Sequence, residues 1–207
     1  MTAETPLTFP CGTVTLEGFV AVPAGAAHAV VVCHPHPEYG GTMDDGIVTP
    51  VARSLVSAGV ATLRFNFRGV GGSQGRHGGG TAEVDDVRAA LDCLAAHAPG
   101  ARLALAGYSF GAAVAVRAAN VDTRAERVAA IALPAAMLDA DFLADCRTPL
   151  LLVHGDRDQF APAAQLDAVL ARCPAPTEVE RIPNADHFLY SAVDRIGPRI
   201  ARFVTAT

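Results

Sequence analysis

The chain has 207 residues, of which 51% are apolar and 18% charged, and its formal net charge is −5. A chain of this length buries about 70% of its unfolded surface in one core, so we expect a single α/β domain over residues 1–207. The negative charge and the lack of a clustered basic stretch argue against nucleic-acid binding. All sixteen basic residues are arginine, which excludes a Walker phosphate loop, Schiff-base catalysis and a Ser-Lys dyad.

The cysteines and the N-terminus indicate a cytoplasmic protein. The five cysteines are widely spaced and form no C-x-x-C pair, so we expect free thiols in a reducing compartment. The first ten residues, MTAETPLTFP, lack the basic and apolar segments of a secretory signal. The uncharged run at residues 103–116 is too short to span a bilayer. We expect no membrane association, and either a monomer or a homodimer.

The strands are predicted from alternating or continuous apolar runs. Two antiparallel strands at residues 5–9 and 13–22 are joined by a turn at residues 10–12. Six further runs predict strands of a parallel sheet: residues 29–33, 60–67, the run from Leu103 toward Gly107, 128–133, 150–154 and 177–182.

The helices are predicted between these strands. Thr49 and Pro50 supply an N-cap and a first-turn proline for a helix that ends at Gly59, and Thr81 is the predicted cap of a long helix. Further helices follow Ser109, occupy residues 163–170 and close the chain over 193–203, where the Gly197-Pro198 pair predicts a kink or a delayed start. Residues 138–145 predict a short irregular or helical piece. This order predicts a doubly wound, mainly parallel sheet with right-handed crossovers and no separate lid domain.

The segment Gly107-Tyr108-Ser109-Phe110-Gly111 has the G-x-S-x-G pattern of a nucleophile elbow. An apolar run precedes it and an Ala-rich helix former follows, which is the strand, turn and helix context that the elbow requires. The two glycines fit because backbone crowds such a turn. The alternative is a tight turn with an incidental serine.

A nucleophilic serine needs a base and a carboxylate that orients the base. His187, in the loop NADHF after the last strand, is the preferred base, whereas His154 closes a strand and is expected to brace a turn. Asp158 is the preferred acid, because Asp156 is expected to cap the HG turn through its side chain. The resulting order, Ser, Asp, His, is that of α/β hydrolases.

Two backbone N–H groups are predicted to form an oxyanion hole. One belongs to Phe110, directly after the nucleophile and at the positive end of a helix. The other belongs to the loop His34-Pro35-His36-Pro37, where both prolines lack an N–H, so the nearest donor is His36 and the next is Glu38. His34 and His36 are expected to shape this loop rather than bind a metal. We expect no metal and no cofactor.

Three other features have less specific interpretations. The glycine-rich loop at residues 69–80 fails the dinucleotide fingerprint, because Gln74 occupies the place of the third glycine. Asp44 and Asp45 are expected to cap turns rather than hold a cation. Aromatic loop residues are candidate walls of a substrate pocket: Tyr39, Phe110, Phe160, Phe188 and Tyr190.

The segments GYSFG, HGDRDQF and NADHF together resemble an α/β-hydrolase-fold serine hydrolase. HPHPEYGGTMDD and RFNFRGVGGSQG resemble, more narrowly, the small lidless α/β hydrolases related to dienelactone hydrolases, and this resemblance runs from about Gly12 to Phe203. It implies carboxylesterase-like or thioesterase-like activity on a small acyl substrate, with Ser109, Asp158 and His187 as the triad.

Two departures from that group affect the substrate. Dienelactone hydrolases use a cysteine nucleophile where this chain has Ser109, which argues against dienelactone as substrate. Related sequences often carry an apolar residue after HPHP, where this chain has Glu38; its charge would disfavour acidic substrates if it faces the pocket. Amide hydrolysis on the same machinery and a catalytically inactive binding protein are the alternatives.

Overall fold

The protein is built around one eight-stranded sheet. A computed structural model describes residues 2–137 and 142–206. The strand order is β1-β2-β4-β3-β5-β6-β7-β8, and within these residues only the β1–β2 and β2–β4 pairings are antiparallel. The strands are β1 Thr5–Cys11, β2 Val14–Ala21, β3 His28–Cys33, β4 Ala61–Phe65, β5 Arg102–Tyr108, β6 Ala125–Ile131, β7 Leu150–Gly155 and β8 Thr177–Ile182. The predicted mainly parallel sheet with antiparallel N-terminal strands is confirmed.

Helices cover both faces of the sheet and create two apolar layers. Alternate residues of β3 show the division, since Val30 and Val32 belong to one layer whereas Val31 and Cys33 belong to the other. The helices are α1 Val48–Ser57, α2 Glu83–His97, α3 Phe110–Val121, α4 Ala163–Leu170 and α5 Val193–Thr205. α1 and α5 pack in the Val30 layer, while α2, α3 and α4 pack in the Val31 layer. Among the described residues, no helix has the length and apolarity needed to cross a membrane.

The predicted N-cap of α1 is wrong. The helix begins at Val48 with Ile47 as its N-cap, so Thr49 lies inside the first turn. The reason is Asp45, whose Oδ1 accepts the Ile47 N–H at 2.8 Å and whose carbonyl accepts the Thr49 N–H at 3.1 Å. Asp45 therefore starts the turn earlier, in the turn-capping role predicted for it.

The predicted N-cap of α2 is also wrong. α2 begins at Glu83 after Ala82, and Thr81 makes no side-chain cap. Glu83 instead accepts the N–H groups of Gly78 at 2.6 Å and Gly80 at 2.7 Å. A carboxylate inside the helix thus satisfies the loop donors, and a hydroxyl cap is not required.

Three strands differ from the prediction by two or more residues at a boundary. β4 ends at Phe65 rather than Phe67, because the Phe67 N–H donates to the Nε2 atom of His34 at 3.0 Å. β6 begins at Ala125 and ends at Ile131, before Ala132 with φ +47°. β1 continues through Cys11, which pairs with Val14, so the turn is shorter than predicted.

The end of the chain and the β6–β7 connection complete the fold. α5 runs through Pro198 without the predicted delay. The β6–β7 connection contains a 3₁₀ turn at Ala135–Met137. Residues 138–141 of the predicted piece at 138–145 lie outside the described residues.

Candidate active site

Ser109 lies in the sharp turn between β5, which ends at Tyr108, and α3, which begins at Phe110. Its backbone has φ +54° and ψ −117°, a conformation that a residue with a side chain rarely adopts. Its N–H donates to the Ile131 carbonyl at 2.8 Å, which ties the turn to β6. A Cβ on Gly107 would overlap the carbonyl of Gly111, so the crowding predicted for this turn is present.

The loop after β8 brings His187 to this serine. The Nε2 atom of His187 lies 2.9 Å from the Ser109 Oγ, and its Nδ1 atom lies 2.9 Å from Oδ2 of Asp158. With the carboxylate accepting from Nδ1–H, Nε2 carries the lone pair that faces the serine hydroxyl. The structure thus brings together the three side chains that the sequence singled out.

The two aspartates of the HGDRD segment have different environments. The Asp158 side chain is fully buried, and its Oδ1 accepts the N–H groups of Phe160 at 2.8 Å and Ala161 at 3.1 Å. Its remaining oxygen is directed at His187. Asp156 is exposed and accepts the Asn184 N–H at 2.7 Å. It therefore caps the neighbouring turn, and no hydrogen bond among the described residues joins it to the imidazole.

His154 is buried at the end of β7. Its Nδ1 lies 3.2 Å from the Gly155 carbonyl. Burial, followed by the nearby Arg181 charge, lowers the pKa of His154, so this imidazole is neutral. Its position suits the bracing role that the sequence suggested.

Tyr108 is a site residue that sequence reasoning missed. It is buried, and its hydroxyl donates to the His187 carbonyl at 3.3 Å. Burial raises the pKa of Tyr108, so the hydroxyl stays protonated as a donor. A polar-tipped aromatic at the end of a buried strand, next to the nucleophile, was the available signal.

The loop after β3 is fixed by His34. Its Nδ1 lies 2.6 Å from the Pro35 carbonyl, and its Nε2 accepts the Phe67 N–H. Burial lowers the pKa of His34 to about 4, which keeps the ring neutral and able to make both hydrogen bonds. His34 thus shapes the loop, as predicted.

His36 and Glu38 differ as backbone donors. The Glu38 N–H donates to Nδ1 of His36 at 3.2 Å, so it is occupied. No hydrogen bond among the described residues uses the His36 N–H. Phe110 is the first residue of α3, so its N–H has no partner within the helix. The donor order predicted for the loop, His36 before Glu38, matches this hydrogen bonding.

The aromatic residues divide into two sets. Phe160 lies edge-on to His187 with ring centroids 4.8 Å apart, and Phe188 stacks with Tyr190 at 6.0 Å. These three side chains are exposed, as is Tyr39. Phe110 was a candidate wall as well, but its ring is 1% exposed and packs edge-on against Phe67 in the core. That prediction is wrong, because the first residue of α3 turns its side chain inward.

A cavity of about 640 Å³ lies elsewhere, between the β1–β2 turn and α2. Ser109, His187 and Asp158 do not line it. Arg68, Arg88 and Arg124 line it together with Asp85 and Asp92, so the charges there are largely compensated. The candidate active site is the one at Ser109, where a hydroxyl, an imidazole and a carboxylate meet.

A family model described as "Serine aminopeptidase, S33" matches residues 25–143, more than half of the chain. The chain belongs to this serine hydrolase family. Over 171 residues, the hydrolase is 36% identical to an uncharacterised protein of Rickettsia prowazekii, a match that covers 78% of this chain and 72% of that protein.

Two solved structures are similar over almost their whole length. An α/β serine hydrolase homologue from Coxiella burnetii is 32% identical, with a TM-score of 0.88 and 99% of each chain covered. An α/β serine hydrolase without a lid from Xanthomonas campestris is 33% identical, with a TM-score of 0.84, and the match covers 100% of this chain and 98% of that one. The predicted lidless α/β-hydrolase fold is confirmed. The narrower resemblance to dienelactone hydrolases stays a prediction.

Proposed function

We propose that this serine hydrolase cleaves small carboxylic esters through a covalent acyl-enzyme on Ser109. The observation that carries the proposal is the continuous series of contacts from Ser109 through His187 to Asp158, each 2.9 Å long. A serine hydroxyl is a weak nucleophile at its ordinary pKa, and an imidazole at this distance is placed to accept its proton.

In the first step, the Ser109 Oγ attacks the ester carbonyl carbon while His187 Nε2 takes the hydroxyl proton. Asp158 stabilises the imidazolium that forms. The tetrahedral intermediate then collapses, the bond from carbon to the alkoxy oxygen breaks, and His187 returns the proton to the leaving alcohol. Ser109 keeps the acyl group as an ester.

In the second step, water replaces the alcohol. His187 removes a proton from the water as its oxygen attacks the acyl carbon, and then protonates the Ser109 oxygen as that bond breaks. The products are a carboxylic acid and the original enzyme. The N–H groups of Phe110 and His36 are the proposed oxyanion donors in both steps.

The exposed aromatic residues support an open site for small or flexible acyl groups. Phe160, Phe188 and Tyr190 lie on the His187 side, and Tyr39 lies on the loop that carries His36. Flat, polarizable side chains of this kind contact apolar acyl chains without fixing their length.

The decisive experiment is labelling with a fluorophosphonate, followed by peptide mass spectrometry and a p-nitrophenyl ester series of increasing acyl length. We expect modification at Ser109 and turnover of short esters. Ser109→Ala should lose the label and orders of magnitude in kcat, whereas Ser57→Ala, a serine on the surface of α1, should lose neither. A folded wild-type protein that is not labelled at Ser109 would refute the proposal.

Amide hydrolysis at peptide N-termini is the second candidate, because the matching family model carries the description of an aminopeptidase. Glu38 is exposed on the His36 loop, where its carboxylate would attract a substrate ammonium group. Aminoacyl p-nitroanilides tested beside the ester series separate the two. Faster turnover of the anilides, reduced in Glu38→Gln, would favour the aminopeptidase.

A further inference from the structure

Three metal-ligating side chains from two different loops meet beside the candidate active site. His36 and Glu38 belong to the loop after β3, and His77 belongs to the glycine-rich loop before α2. One ligand atom of each lies within 4.8 Å of the other two. The imidazole centroids of His36 and His77 are 5.1 Å apart. Sequence reasoning missed this cluster, because His77 is far from the HPHP segment in the chain.

Hydrogen bonds to β2 and to Glu83 hold the glycine-rich loop that carries His77. Glu17 accepts the Gly72 N–H at 2.7 Å. Gln74 exchanges two hydrogen bonds with Thr15, at 2.9 and 3.0 Å. At the other end of the loop, Glu83 accepts the N–H groups of Gly78 and Gly80. Hydrogen bonds on both sides of His77 therefore fix its position.

Glu83 also stands directly behind His77. Its side chain is fully buried, and Oε1 lies 2.9 Å from the His77 Nδ1, within ion-pair distance although off the axis of an ideal hydrogen bond. A carboxylate behind the Nδ1 of a metal-binding histidine orients the ring and leaves Nε2 for the metal. This buried carboxylate is a second observation, independent of the clustering, that points to a ligand.

We propose that His36, Glu38 and His77 bind one divalent transition-metal ion of the zinc type. Two imidazoles and one carboxylate are a donor set that Zn²⁺ accepts, with a fourth position left to water. Ligands about 2.0–2.1 Å from a tetrahedral ion lie about 3.3 Å from one another, so the three groups must move closer together. The exposed Glu38 side chain can rotate to allow this.

A bound ion would connect the loop that carries His36 to the loop that carries His77. The His36 ring also contacts Phe110, with centroids 4.9 Å apart, so the ion would lie next to both proposed oxyanion residues. An effect of the ion on ester hydrolysis rests on the proposed function, but the binding site itself does not.

The test is a titration of the full-length, metal-stripped protein with Zn²⁺ by calorimetry and with Co²⁺ by visible absorption. We expect one equivalent to bind, and Co²⁺ to give the intense bands of a low-coordinate site. His77→Ala and Glu38→Gln should each weaken binding by at least about tenfold, since even supporting residues of metal sites contribute 10–100-fold. Glu38 is exposed, so Glu38→Gln keeps the test valid if His77→Ala fails to fold.

Two controls locate the ion. His97→Ala removes an exposed histidine next to Cys93 on α2 and should bind Zn²⁺ with wild-type affinity. His187→Ala should also retain binding, because the proposed site does not use the triad. No binding by the wild-type protein, or equal affinity in wild type, His77→Ala and Glu38→Gln, would overturn the proposal, as would loss of the single equivalent in His187→Ala. None of these three results depends on esterase activity.

Discussion

Gly111 packs so closely against the end of β3 that a Cβ at position 111 would stand 2.5 Å from the Cys33 carbonyl oxygen. The same Cβ would lie 2.5 Å from the carbonyl of His34. The close packing of Gly111 against the carbonyls of Cys33 and His34 fixes the distance between two backbone segments. These are the start of α3, which contains Phe110, and the loop that contains His36. The missing side chain of Gly111 therefore sets the spacing of the two proposed oxyanion donors.

Gly111→Ala is expected to lower kcat/KM for a p-nitrophenyl ester by at least about tenfold, because displacing one of two oxyanion donors forfeits part of a 10²–10³-fold effect. Overpacking should also reduce the free energy of unfolding by about 1–3 kcal/mol. Gly25→Ala is the matched control, since Gly25 has φ +72° but no atom within 4 Å of the added Cβ. It should lose stability but keep its kcat/KM, and an equal loss of activity in both variants would contradict the spacing argument.

Asp158→Asn is expected to reduce kcat by about 10²–10⁴-fold, because an amide facing Nδ1 no longer favours the tautomer with its lone pair on Nε2. Asp156→Asn, two residues earlier, should change kcat less than about threefold and affect only the turn at Asn184. Steady-state kinetics on one ester compares the pair. Similar losses in both variants would mean that the assignment of Asp158 is wrong.

Tyr108→Phe removes the hydroxyl that donates to the His187 carbonyl. The free energy of unfolding should fall by about 1 kcal/mol, and kcat should fall several-fold as the histidine loop loses an anchor. Tyr39→Phe is the control, because Tyr39 is 88% exposed and its hydroxyl has no hydrogen bond to any described residue. Urea unfolding and ester kinetics measure both variants, and an unchanged Tyr108→Phe enzyme would show that this hydroxyl has no positioning role.

The free energy of unfolding should fall as the pH falls, because His34 is neutral in the folded protein. Its pKa is about 4 in the fold against 6.5 for an ordinary histidine, so between these pH values the unfolded chain holds a proton that the native chain does not. The neutral His34 ring contributes fully to the free energy of unfolding above pH 6.5. This stabilisation is lost as the pH falls toward 4, and the loss between pH 7 and pH 5 is roughly 2 kcal/mol.

The buried imidazole of His154 acts in the same direction, so the measurement compares two proteins. Urea unfolding at pH 7 and pH 5 should show a smaller difference in His34→Asn than in wild type. Asn keeps a donor for the Pro35 carbonyl but cannot titrate. Equal pH dependence in the two proteins would refute the role of His34.

Local sequence patterns were enough to predict the sheet. They were also enough to predict which three polar side chains meet at its edge, namely Ser109, Asp158 and His187. Buried parallel strands are continuous apolar runs, and their carboxyl ends collect the polar side chains. The choice between Asp158 and Asp156 followed from which of the two lies nearer to the turn. The cap of α1 was missed because Asp45 and Thr49 are both competent capping residues, and only the fold decides between them.

The contacts that escaped prediction join distant parts of the chain. Tyr108 contacts the backbone of His187, and His77 contacts His36. Each pair is far apart in the chain, and the periodicity of apolar residues carries no information about such contacts. Phe110 was misjudged because an aromatic residue beside a nucleophile suits a pocket wall and a core position equally well. The direction of the first helical turn decides between the two, and it is set by packing.

β8 is an edge strand of the sheet. His187, which follows β8, is therefore expected to be the member of the Ser109 site that local unfolding displaces first. Within the described part of the chain, β8 pairs with β7 alone, and two of its three charged residues, Glu178 and Arg181, form ion pairs with Arg199 and Asp167 that discourage pairing with another chain. Ser109, by contrast, follows a strand in the middle of the sheet. Local unfolding of an edge strand costs less free energy than local unfolding of a central strand. Unfolding of β8 would therefore also displace the segment that carries His187. The amides of β8 should thus exchange with solvent deuterium before those of β5, and hydrolysis should stop at denaturant concentrations that leave the centre of the sheet folded.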